Sequence, residues 1–315
     1  MHVYQSRWMS ENSKSTRSSQ WKSFFTFCDD FGFLDPIPAT LDMVLLYVVH
    51  LAERLKFKSI QQYLGAVWIL HDMAGVSHVD PDNFELVVTM RGIKRTIGDT
   101  TVQARPATLS DLVSIFGVLD LASSEDIAFW LAVLLAFRGL LRKSNLVELE
   151  LAVGRADVSW ESWGVGVTVR RTKTICFNER VLYIPFVPIP GSIFCICHFL
   201  RLLWDRVVYP KEDTQLVGYM SGGRWVRGSY GWYSKKLSKL CVRLGLDMLS
   251  SHSMRRGGAS LLAENGISLV DIKNLGDWKS MSVLFYLTRT LDSKVRLERG
   301  VVKDIFQNQE VLLRG

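Results

Sequence analysis

The chain has 315 residues, enough for two domains that each bury a core. A hydrophobic share of 48% and a charged share of 22% exclude wholesale disorder. The net charge of +7 is unevenly placed: residues 1–105 hold 11 Lys/Arg against 11 Asp/Glu, residues 106–315 hold 27 against 20, and that excess favours a polyanionic partner.

Residues 1–14 read as a flexible lead, and the polar, Ser-rich first 20 residues hold no signal peptide. From Ser15, Trp21, Phe24, Phe25 and Cys28 recur at helical spacing, with Gly32 near the end. Further helices fit 40–54 with Thr40 as N-cap, 59–74 stopped by Gly75, and 82–97 stopped by Gly98. Four helices with short connections make an all-α domain. Residues 98–106 have the composition of a linker, so the domain boundary is expected at 104/105.

The second part begins with helices at 109–119 and 124–139. Residues 165–174 and 180–187 are rich in Val, Ile and Tyr, and read as a β-hairpin around Phe177-Asn178-Glu179. Helices return at 193–207 and 229–244, and the last third is helical with breaks at Gly266, Gly276 and Gly300. The expected fold is mainly α with a small hairpin or sheet. An all-α domain at 1–104 would be followed by an α+β domain at 105–315.

Neither long apolar stretch suits a bilayer. Residues 127–137 are too short, and 181–200 carry Pro185, Pro188, Pro190 and Gly191, which suit a strand, a turn and a helix start. Five cysteines (Cys28, Cys176, Cys195, Cys197, Cys241) make an odd count with no paired framework, which fits a reducing compartment. Cys195, Cys197 and His198 lack a partner pair at zinc spacing, so buried thiols are expected and no metal site.

The chemistry-bearing pieces come late. In Ser251-His252-Ser253-Met254-Arg255, Ser251 is a plausible N-cap. That places His252 and Arg255 on one face of a first turn, where free N–H groups suit a phosphate. Upstream, an apolar helix runs into Arg138-Gly139-Leu140-Leu141-Arg142, and the hairpin carries Arg170-Arg171-Thr172-Lys173-Thr174. Downstream, Gly276-Asp277-Trp278 precedes Phe285-Tyr286. Taken singly, each residue is as well explained by packing or by a solvated helix end.

In this order the set Arg142, Lys173, His252, Arg255, Trp278 and Tyr286 resembles the tyrosine recombinases, or phage integrase family. The resemblance spans about Ser15 to Ser293, with further likeness in Lys58-Ser-Ile-Gln-Gln-Tyr-Leu-Gly65, Arg171-Thr-Lys-Thr174 and Leu291-Asp-Ser293. It implies a core-binding domain and a catalytic domain that clamp duplex DNA. Two positions depart from the pattern. Asn145 stands where the family has an acidic residue that orients the first arginine, so an amide is expected to do so here. The interval from Trp278 to Tyr286 is one residue short and resembles recombinases of DIRS and Crypton mobile elements. That likeness implies a nuclear location; a bacterial setting would imply the cytoplasm or nucleoid.

The resemblance implies site-specific cleavage and rejoining of DNA without metal or cofactor. Tyr286 would attack the scissile phosphate and form a 3′-phosphotyrosyl bond. Arg142 and Arg255 would clamp the non-bridging oxygens, Lys173 would protonate the leaving 5′-oxygen, and His252 would shuttle a proton or donate to the phosphate. Trp278 would donate its indole N–H or buttress the site. Lys58, Ser59 and Gln62 are placed in a major groove, and Arg17, Lys22, Lys94 and Arg95 are candidates for phosphate contacts. Val295, Val301, Val302, Ile305 and Phe306 recur at helical spacing, as in a terminal helix that docks on a neighbouring protomer. The expected partners are a DNA site and further copies of the chain, a dimer per site and a tetramer per synapse, with no membrane or small-molecule substrate. Two other readings stay open: a type IB topoisomerase-like relaxing enzyme, and a domesticated DNA-binding protein that no longer cuts.

Overall fold

The computed structural model describes residues 8–9, 11–99, 103–148, 151–172, 174–175, 179–280 and 283–284. The chain divides into two compact units, Met1–Val102 and Gln103–Gly315.

Among the described residues, unit one holds four helices: α1 (Glu11–Asp30), α2 (Leu41–Ala52), α3 (Phe57–Ala74) and α4 (Phe84–Ile97). The Thr40 hydroxyl accepts the Met43 N–H and caps α2 as expected, while Asn83 caps α4 through the Glu85 and Leu86 N–H groups. Gly75 ends α3 in the left-handed conformation that a residue with Cβ resists. Phe24, Phe27 and Tyr47 form the aromatic centre, with Phe24 and Tyr47 edge to face at 5.1 Å. Each such buried side chain contributes roughly 1.5–3 kcal/mol relative to exposure. Buried His71 is satisfied on both nitrogens: Nε2 accepts the Ala39 N–H at 2.8 Å, and Nδ1–H donates to the Val67 carbonyl at 2.8 Å.

Unit two is built around the helix α6 (Ser124–Phe137), which follows α5 (Leu109–Phe116). Every residue from Ile127 to Phe137 is buried, so the apolar stretch is a central core helix. After the short α7 (Lys143–Val147) comes a three-stranded antiparallel sheet: β1 (Val158–Glu161), β2 (Gly164–Val169) and β3 (Leu182–Phe186), with β2 in the middle. The anticipated hairpin is thus β2–β3, and β1 adds an edge strand that its short, polar sequence does not announce. Then follow α8 (Ile196–Arg206), a second hairpin of β4 (Gly218–Ser221) and β5 (Arg224–Arg227), α9 (Tyr230–Leu244), α10 (Ser251–Glu264) and α11 (Leu269–Leu275). α8, α10 and β4 all pack on α6.

The closing residues of the linker fold with unit two. Arg105 makes a bidentate pair with Asp111 at 2.7 and 3.0 Å and donates to the Asp247 carbonyl at 3.1 Å. Arg256 donates to Gln103, and the Ala107 N–H donates to the Ser253 carbonyl at 2.9 Å. Cys28, Cys195, Cys197 and Cys241 are buried and free. The Cys197 thiol donates to the Phe186 carbonyl, and Cys195 Sγ accepts the Ile189 N–H. Among the described residues, no helix is long and apolar enough to cross a membrane.

Candidate active site

The site starts where α6 ends. Gly139 passes so close to the Leu135 carbonyl and the Phe186 ring that a Cβ would sit 2.8 and 2.9 Å from them. Leu140 then takes φ 52°, a conformation disfavoured for a residue with Cβ, and the chain turns sharply into α7. Two things follow from the turn. The Leu140 carbonyl receives Arg255 Nη1, and Arg142, standing as the uncapped N-cap residue of α7, projects its guanidinium away from the helix.

Arg142 donates from Nη2 to the Asp277 carbonyl at 2.9 Å and from Nη1 to the Asp277 carboxylate at 3.2 Å. Arg255 lies in α10, whose N-cap is Ser250, accepting the Ser253 N–H; the expected cap was Ser251. The one-residue shift leaves His252 in the first turn, exposed, and moves Arg255 to the second turn, where it is buried. Arg255 also donates to the Gly276 carbonyl, and its guanidinium carbon lies 3.8 Å from the centre of the Trp278 ring. Gly276 is required here, because a Cβ would overlap that ring. Trp278 itself is buried in a small cluster with Leu140, Ala259, Ile272 and Val283. Its clearest role is therefore to buttress Arg255.

Asn145 does not orient Arg142. Its amide donates to the Arg171 carbonyl at 2.7 Å and to the Leu151 carbonyl at 3.2 Å, pinning the strand that leaves β2. The acidic partner of Arg142 is Asp277, a carboxylate only 2% exposed. Asp277 also accepts from the Thr172 hydroxyl at 2.6 Å, from the Thr174 hydroxyl and from Arg180. Burial alone would push its pKa up, but the bonds from Thr172, Thr174, Arg180 and Arg142 outweigh it and hold the carboxyl below the ordinary range. Three guanidiniums thus converge on the Gly276–Asp277 segment against one carboxylate, an excess of positive charge suited to a phosphate. Asp277 and Arg180 escaped sequence reasoning. The available signals were an acidic residue wedged between Gly276 and Trp278, and an arginine just past the hairpin tip.

Lys173 and Tyr286 lie outside the described residues, as does the tail from Val295. The DNA-contact candidates are all in unit one. Lys58, Ser59 and Gln62 share the first turns of α3, with Lys58 and Gln62 exposed. Arg17 donates to the Gln62 carbonyl at 3.2 Å, so α1 and α3 present these residues together. Lys22 and Arg95 are exposed. Lys94 is engaged in an ion pair with Asp99 at 3.0 Å, which competes with a phosphate for it.

No protein-family model matches the chain. It is 24% identical over 302 residues to the recombinase Cre of Escherichia phage P1, covering 87% of this chain and 84% of that one. The fold is similar to that of the Tn1549 transposon integrase in complex with transposon right end DNA. There the TM-score is 0.64 at 16% identity, over 95% of this chain and 97% of the other. The chain is similar in sequence to one tyrosine recombinase and in fold to others. The XerH site-specific recombinase, in a post-cleavage complex with a palindromic difH substrate, also shares the recombinase fold. Its TM-score is 0.59 at 12% identity, over 91% of this chain and 78% of the other.

Proposed function

We propose that this chain is a site-specific recombinase that cleaves and rejoins duplex DNA through a 3′-phosphotyrosyl intermediate. The observation that carries the reading is the pair Arg142 and Arg255, held on adjacent carbonyls beside an Asp277 that is itself neutralised by its donors. Two guanidiniums fixed side by side match the two non-bridging oxygens of a phosphodiester. The Tyr286 hydroxyl gives up its proton by way of His252 as its oxygen bonds to phosphorus, the bond from phosphorus to the 5′-oxygen breaks, and the leaving oxygen takes a proton from Lys173. Free tyrosine has a pKa near ~10, so the forming phenolate needs neighbouring cations. His252, exposed on the first turn of α10, would hydrogen-bond the phosphate. Lys58, Ser59 and Gln62 read the DNA site from unit one, with Arg17, Lys22, Lys94 and Arg95 on the backbone. The chain works as a dimer on each site and a tetramer in synapsis, held by the tail after Ser293.

The test is covalent capture. The wild-type chain is incubated with nicked suicide duplexes drawn from a randomised pool. The expected result is a protein–DNA adduct that survives denaturation, maps to Tyr286 and is absent in Tyr286→Phe. Duplex bound tightly without any adduct would favour a DNA-binding protein that no longer cuts.

A further inference from the structure

Thr172 and Thr174 stand on either side of Lys173, and both hydroxyls donate to the same Asp277 carboxylate that holds Arg142. The Thr172 oxygen also accepts the N–H groups of Thr174 at 3.0 Å and Ile175 at 2.9 Å, and the Thr172 N–H donates to the Ile175 carbonyl at 3.1 Å. Thr172, Thr174 and Ile175 are therefore tied to one another, and the outward bonds of the two hydroxyls end on Asp277. Arg180, on the returning limb of the same hairpin, ends there too. One carboxylate gathers the first arginine and both limbs of the hairpin that carries the lysine.

We infer that Asp277 is a positioning residue for the cleavage reaction, replacing the acidic residue missing at Asn145 and, beyond that, seating the hairpin so that Lys173 and Arg142 act on one phosphate. The inference rests on the recombinase reading above. Its physical logic is that a carboxylate with four donors has a fixed position, so each donor's position is fixed relative to the others. A lysine side chain has a flexible four-carbon stem and samples many positions, and proton transfer needs it within hydrogen-bond reach of the leaving oxygen. Asp277 would touch neither phosphate nor leaving group; it acts through Arg142 and through the hydroxyls of Thr172 and Thr174.

The test uses the duplex that wild type captures, made with the ordinary 5′-oxygen or with sulfur at the leaving position. A thiolate leaves without a proton, so the sulfur duplex has no need of Lys173. Asp277→Asn keeps the left-handed backbone at φ 53°, which asparagine tolerates. The expected result is adduct formation about 10²-fold slower on the oxygen duplex, in line with loss of a general acid. On the sulfur duplex the loss is at least tenfold smaller, with equilibrium DNA binding unchanged. Rates within twofold of wild type on the oxygen duplex, or equal losses on both duplexes, would overturn the inference. If Asp277→Asn does not fold, Thr174→Val undergoes the same comparison and the same ratio decides. Failure of wild type to form any adduct counts against the recombinase reading itself, and so is distinguishable.

Discussion

The guanidiniums of Arg142 and Arg255 hang on consecutive carbonyl oxygens, those of Asp277 and Gly276. The separation of the two cations is therefore set by a single peptide unit, on a backbone held left-handed at Asp277. Side-chain freedom that each arginine would lose on meeting a phosphate has already been lost in folding.

Lysine cannot reproduce either anchorage, because one ammonium cannot span two acceptors in a plane. Arg142→Lys is expected to slow adduct formation by ~10²–10³, the usual loss for a group that stabilises transition-state charge. Arg255→Lys should do the same and also lower the melting temperature, since it abandons the Leu140 carbonyl and the Trp278 ring. Single-turnover cleavage and calorimetry separate the two effects. Near-normal cleavage by either variant removes that arginine from the clamp.

Asp111 gives a pH signature at the start of unit two. Burial pushes its pKa up, yet the bonds from Arg105 and Thr108 prevail and hold it below the ordinary value. A depressed folded-state pKa means the carboxylate stabilises the fold above the unfolded value of ~3.9 and ceases to as pH falls through the lower folded value. Asp111→Asn should therefore cost about 1–3 kcal/mol at neutral pH. The gap to wild type should shrink below pH ~4, measured by denaturant unfolding across pH. A gap that stays constant down to pH ~2 would show that the pair does not titrate as described.

Gly258 permits the contact between α10 and α6, for a Cβ there would overlap the Phe137 carbonyl oxygen. Gly258→Ala should destabilise unit two by ~1–3 kcal/mol or more, because the obstacle is backbone and cannot rotate away. It should also slow cleavage, as α10 carries His252 and Arg255. Unchanged melting and cleavage would mean that the two helices part without consequence.

The tail is tested by truncation after Ser293. Loss of Val301, Ile305 and Phe306 should remove ~1–3 kcal/mol of contact per buried side chain between protomers. The shortened chain should bind DNA, form synapses poorly and recombine little. Sizing its DNA complex by light scattering decides; synapsis at wild-type levels would place the tail's contacts within its own protomer.

The helices of unit one were legible because caps and stops are local: Thr40, Gly75 and Gly98 sit where the pattern ends. The β4–β5 hairpin was missed although Gly222-Gly223 stands between Tyr219-Met220 and Trp225-Val226, a turn signal flanked by strand formers. Ser250 and Ser251 are both good caps, and sequence alone does not choose between them. The resemblance could be drawn from the order Arg142, Lys173, His252, Arg255 and Tyr286, because such chemistry would demand particular residue types. Asp277 was not, because its donors come from residues 142, 172, 174 and 180. A convergence of distant segments leaves no spacing to read.

The carbonyls that hold Arg142 and Arg255 come after both arginines in the chain. A polypeptide complete through α10 already carries both arginines but lacks the Gly276 and Asp277 carbonyls, with only the Leu140 carbonyl in place to receive Arg255. The paired anchorage of the two arginines is complete only once Gly276 and Asp277, just past α11, have been made. A chain truncated between Arg255 and Gly276 would therefore hold both arginines without the two carbonyls that fix their separation.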